Sequence, residues 1–169
     1  MHTLFGGYGV RVVAVIALVA LGMQSALAEK REESYVKKNF RSANKTVLAV
    51  GEGRELVQEL SLADIKFTNP DFKVKDEWTY LHSDLINGSG TDRGYYIDVH
   101  EDGSQTFGVF EGTKKSVTKS DGSWEVTWEG SYKYVGGSGR FKGIKGGGKY
   151  KGSASPADPG GTETGSGTA

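Results

Sequence analysis

Two histidines of this chain, His82 and His100, each stand two residues from an aspartate, Asp84 and Asp98. In an extended strand, side chains two apart share a face. An imidazole beside a carboxylate suits general acid-base chemistry, because the carboxylate orients the ring and holds its tautomer. If residues 87–93 form a loop joining two strands in even register, one face gathers Trp78, Tyr80, His82, Asp84, Tyr96, Asp98 and His100. The opposite face then gathers Leu81, Leu85, Tyr95, Ile97 and Val99. On that register His82, Asp98 and His100 are the candidate catalytic residues. A simpler reading carries more weight: the polar face is the solvated outside of a sheet.

Other chemistries fit less well. Two histidines and a carboxylate could form a zinc or iron set, but the sequence has no H-x-H, no H-E-x-x-H and no calcium loop of alternating acids. No metal and no cofactor are expected. There is no cysteine, which excludes thiol catalysis and cysteine-based metal sites. No G-x-S-x-G elbow occurs, and the S-x-x-K of Ser116 to Lys119 lies beside a turn rather than on a helix. The stretch GGSGRFKGIKGGGKYKG, Gly136 to Gly152, is glycine-rich enough to suggest a phosphate loop. Such a loop must lead into a helix whose amides face the anion, and nothing helical follows Gly148.

The elements that must position these residues read as strands. In SWEVTWEGSYKYV, Ser123 to Val135, Trp124, Val126, Trp128, Tyr132 and Tyr134 alternate with polar residues, the period-two signature of a half-buried antiparallel strand. That aromatic stripe is either core or the wall of a ligand cavity. Trp78, Tyr80, Tyr96, Trp124 and Trp128 are the candidate ligand-binding residues. Around Glu101-Asp102-Gly103, a hairpin with Gly103 in the left-handed conformation sets Ile97 opposite Phe107 and Tyr95 opposite Val109. SDGS, Ser120 to Ser123, is a second tight turn. Further strands are expected at 46–50, 54–60, 63–68, 78–86, 140–145 and 147–151, with Gly143 marking a bulge. In the last of these Gly148, Tyr150 and Gly152 share a face, a small-large-small arrangement that suits the interior of a narrow barrel. Eight or nine short strands without an amphipathic helix give an all-β fold, a closed barrel or a sandwich.

The ends read differently. Arg11 precedes the apolar run Val12 to Leu21, and small residues Ala26 and Ala28 follow, the pattern of a signal peptide cleaved after Ala28. The run is too short for a membrane span, so a secreted or periplasmic location is expected, with no span after cleavage. Taking 28 residues and their single arginine from 169 residues with 21 basic and 21 acidic side chains leaves 141 residues and a net charge of −1. Nucleic-acid binding, which depends on a basic excess, is not expected. Residues 29–45, charge-rich and poor in apolar side chains, read as a flexible polar leader. Residues 153–169, small and polar, read as a disordered tail. The barrel domain is then 46–152.

The run YVGGSGRFKGIKGGGKYKG also resembles the glycine-rich final hairpin of the allene oxide cyclase and dirigent-like barrel superfamily, in which G-G-[TS]-G-x-F-x-G-x-x-G-x-G-x-Y-x-G recurs. The match is dense from about Gly122 to Gly152. It implies an eight-stranded antiparallel barrel with a mostly apolar cavity, often oligomeric and cofactor-free, that steers a reactive hydrophobic intermediate. The matched residues are architectural and transfer no catalytic role. Three readings follow: a barrel that binds a small apolar or aromatic ligand, which leads; a cofactor-free isomerase or cyclase; and an exported surface interaction module using aromatic and basic side chains.

Overall fold

A computed structural model describes residues 30–169, so the segment expected to be a signal peptide lies outside the described residues. Eight antiparallel strands run in chain order around a closed barrel: β1 Glu32–Gly51, β2 Arg54–Phe67, β3 Val74–Ile86, β4 Ser89–His100, β5 Gln105–Thr118, β6 Trp124–Ser138, β7 Gly147–Ser155 and β8 Asp158–Thr168. The all-β barrel expected from the period-two patterning is the fold of this chain.

Both segments expected to be loose are strands. The leader becomes β1, whose Glu32–Lys38 pairs with Thr162–Thr168 of β8 and closes the barrel. Apolar content misjudged them, because neither is held mainly by burying apolar side chains. β8 contributes backbone hydrogen bonds and small residues. Gly165 lies against the Tyr35 ring, and a Cβ there would meet ring carbons at 2.3 Å. Gly108 relates to the Tyr96 ring in the same way, with a Cβ-to-ring distance of 2.0 Å. Inward aromatics thus fill space that neighbouring glycines vacate, and Tyr150 lies in the same way against Gly112 and Gly130.

The Gly103 hairpin has the expected register, with Ile97 opposite Phe107 and Tyr95 opposite Val109, and Gly103 sits at φ +79°. The β3–β4 connection differs. Instead of a long loop it is a two-residue turn, Asn87-Gly88, at φ +51° and +75°, the geometry a type I′ turn demands. Trp78 then faces Ile97 and His82 faces Arg93, so the register is odd rather than even. Two smaller expectations also change. Residues 54–60 and 63–67 belong to the single strand β2, and 140–145 is not a strand. There a 3-10 turn, Gly139–Phe141, and the loop after it deliver Phe141 to the interior.

That aromatic closes one end of the barrel. Phe72, from the β2–β3 connection, lies 5.0 Å from Phe67 and 5.1 Å from Phe141 between ring centroids, and Tyr134 completes the plug. Toward the other end β1 leaves β8 after Lys38. Its register against β2 slips there, around Asn39 at φ +56°, and the outer half of β1 continues paired only with β2.

Candidate functional site

The odd register turns the β3–β4 hairpin inside out relative to the expected face. Glu77, Thr79, Leu81, Ser83 and Leu85 of β3 point inward with Tyr96, Asp98 and His100 of β4. Trp78 and Tyr80 are exposed at 38% and 41%. His82 is outside with them, its ring 4.8 Å from that of Tyr80, and Asp84 on the same face is bound by the Arg54 guanidinium at 2.5 and 2.8 Å. His82 is therefore on the opposite side of the sheet from Asp98 and His100. Of the candidate ligand-binding residues, Tyr96 and Trp128 reach the interior cavity, Trp78 and Tyr80 do not, and Trp124 is exposed near the open end of β6.

His100 is buried, but in the plug. Its ring stacks 4.2 Å from Phe141 and 6.0 Å from Phe72, and neither ring nitrogen has a hydrogen-bond partner. Burial, aided by the Arg140 charge, pushes its pKa down to about 4. It is a neutral ring in an aromatic core, although it and Asp98 both point inward from β4.

A polar cluster occupies the middle of the barrel. Four buried carboxylates, Glu33, Glu77, Asp98 and Glu163, share the interior with one ammonium, that of Lys37. Lys37 Nζ lies 2.5 Å from Glu77 Oε1 and 3.6 Å from Glu163 Oε1. It also sits over the faces of Tyr35 and Tyr96, 5.1 and 5.6 Å from their centroids. Burial works against its charge, but Glu77, Glu163 and Asp98 together raise its pKa well above the ordinary lysine value. An ammonium held this firmly is not a Schiff-base nucleophile.

The carboxylates differ in how well they are satisfied. Glu163 accepts from Tyr35 at 3.0 Å and from the Trp128 indole at 2.7 Å. Glu33 accepts from Tyr132 at 2.6 Å and Tyr134 at 2.9 Å, and burial still raises its pKa. Asp98 has only Thr106, at 2.9 Å to Oδ2. Its Oδ1, the second oxygen of Glu77 and the Tyr96 hydroxyl are buried without a partner. Burial, with Glu77 nearby, pushes the Asp98 pKa up to about 7. Buried polar atoms are normally paired, and three orphans in one cluster mark it out.

Beside the cluster lies a cavity of about 330 Å³. Asp98, Tyr96 and Glu163 line its polar side, and Ile65, Phe110 and Trp128 its apolar side. It extends to exposed Arg41, Ser42 and Pro159, where β1 parts from β8. A larger hollow, about 1320 Å³, is lined mostly by residues of the outward register such as His82, Arg93, Glu111 and Lys149, and it holds none of the buried cluster. No group of three or more metal-ligating side chains fit to hold a metal ion occurs among the described residues.

Sequence reasoning missed Glu33, Lys37, Glu77 and Glu163. Glu33 and Lys37 lay in the presumed leader and Glu163 in the presumed tail, so the strands that carry them were never assigned faces. The Asn-Gly dipeptide, the strongest short-range hairpin signal, would have given the odd register and placed Glu77 and Asp98 together.

No family model, no curated protein and no solved structure matches this chain.

Proposed function

We propose that the protein is an exported barrel that binds a small apolar or aromatic molecule inside it, with residues 1–28 as its signal peptide. The observation that carries this is the 330 Å³ cavity, walled by Trp128, Phe110 and Ile65 and floored by polar groups. Closed eight-stranded barrels hold one small ligand in this way, and pockets of a few hundred Å³ with a few placed polar groups are typical ligand sites. The likeness to the allene oxide cyclase and dirigent-like barrels agrees with a hydrophobic ligand. Among the described residues no helix is long and apolar enough to cross a membrane.

Native mass spectrometry of protein purified from its own exported fraction tests the reading. One organic adduct per chain, lost on denaturation and absent from Val126→Trp, in which the new ring fills the cavity, is the expected result. An adduct that persists in Val126→Trp places the ligand elsewhere.

One observation favours a second reading, a cofactor-free isomerase. Asp98, with a pKa of about 7, lines the cavity beside the Tyr96 hydroxyl and is poised to give and take a proton near neutrality. Asp98→Asn would then abolish turnover of whatever adduct is found, whereas under the binding reading no turnover exists to lose. A surface-module reading cannot be tested by removing 153–169, because that removes β8 and opens the barrel on any reading.

A further inference from the structure

The proposed binding cavity has a chemical bias in its polar floor, and resting on that reading we infer that its ligand is a small aromatic or aliphatic amine, bound as the ammonium ion against Asp98 and Tyr96. Four observations converge. Two of the buried carboxylates, Asp98 and Glu163, line the floor, and the Lys37 ammonium beside them is already committed to Glu77 and Glu163. Asp98 is 1% exposed and lines the cavity, yet its Oδ1 has no partner. The Tyr96 hydroxyl beside it is likewise unpartnered and able to accept.

The fourth observation is Lys37. The chain's own ammonium already sits over the Tyr35 and Tyr96 rings and between Glu77 and Glu163. This chamber therefore stabilises a cation in two ways, by carboxylate charge and by aromatic faces. Lys37 satisfies one oxygen of Glu77 and approaches Glu163, and leaves Asp98 unserved. A ligand ammonium donating to Asp98 Oδ1 and Tyr96 would supply the partners these two cavity-lining atoms lack, with its hydrocarbon body against Phe110, Ile65 and Trp128. Toward the mouth the lining also holds Arg41 and Lys114, with Glu59 and Asp92. An anionic ligand would have to lodge there rather than on the carboxylate floor.

Three shape-matched ligands decide the matter: 2-phenylethylamine, 2-phenylethanol and phenylacetate, titrated into the intact protein at pH 7 by calorimetry. The amine should bind at least tenfold tighter than the alcohol, and phenylacetate weaker than both. The ratio of amine to alcohol affinity should fall to near one in Asp98→Asn. Equal or tighter binding of the alcohol overturns the amine inference while leaving the cavity reading intact, and tightest binding of phenylacetate overturns it in favour of an anion held by Arg41 and Lys114. Absence of binding by all three overturns both. The wild-type comparison is sufficient on its own should Asp98→Asn fail to fold.

Discussion

At the plugged end of the barrel Phe67, Phe72, Phe141 and His100 stack on one another. One layer inward, Tyr35, Tyr96 and Tyr132 form an aromatic wall of similar bulk around Lys37 and its carboxylates. The plug is held by dispersion and by removal of apolar area from water, and its imidazole, His100, stays neutral. The chamber keeps charge where the local dielectric is low, so its groups depend on one another. A buried ion pair of this kind is costly to break and adds little net stability when whole. The same residue class thus seals one region and solvates an ion in the other, and the difference lies in what the rings enclose.

The comparison can be broken most forcefully by removing one member from each side. Phe141→Ala should cost about 3–5 kcal/mol at neutral pH, the usual result of emptying an aromatic core position. Lys37→Met should cost a similar ~3–5 kcal/mol at neutral pH, since it strands Glu77 as a buried, unpaired charge. It should regain stability as the pH falls, because burial already raises the Glu77 pKa and protonation removes the stranded charge. Thermal melts at several pH values check both; a pH-independent loss in Lys37→Met would show that Glu77 is not charged there.

A finer test uses the two titrating groups of β4. The folded His100 pKa is about 4, below its ordinary value of 6.5, so the unfolded chain takes up the proton first and His100 costs stability as the pH falls from about 6.5 toward 4. Asp98 is raised from 3.8 to about 7, so the folded chain holds the proton longer and stability falls as the pH rises from about 4 toward 7. Arg140 and Asp102 act on His100; Glu77, Lys37, Thr106 and Glu33 act on Asp98. Relative to wild type, His100→Phe should therefore gain melting temperature at pH 4.5 compared with pH 7.5. Asp98→Asn should gain at pH 8 compared with pH 5. Matching trends in the two variants would remove the distinction between plug and chamber.

The smallest effect belongs to the outer face. Arg54 and Asp84 form a bidentate pair in solvent, and Arg54→Ala should leave the melting temperature nearly unchanged, as exposed pairs contribute little.

The barrel was legible in the alternation of β4, β5 and β6, because period-two patterning survives wherever one face is apolar. The Gly103 register was legible for the same reason. The strands that close the barrel were hidden. In β1 the inward residues are Glu33, Tyr35 and Lys37, and in β8 they are Gly161, Glu163 and Gly165, so a search for apolar burial meets charge and glycine where it expects core. The site was half visible for a related reason: Tyr96, Asp98 and Trp128 stood out by type, but their partners lay in the two segments set aside. His82 was misplaced by a single residue of register, which in a strand exchanges the two faces completely.

The seam between β1 and β8 has a kinetic consequence. Each of the other strand pairings joins neighbours in the chain, whereas this one joins its two most distant strands, down to paired backbone hydrogen bonds between Arg31 and Ala169 at 2.9 Å. Hairpins of short separation can form early, and contacts of greatest separation are the slow ones to gain. Until that seam zips, Lys37 on β1 and Glu163 on β8 face water on an open sheet. The step that completes the fold is thus also the step that dries the charges, and unfolding that begins at this seam would rehydrate them first.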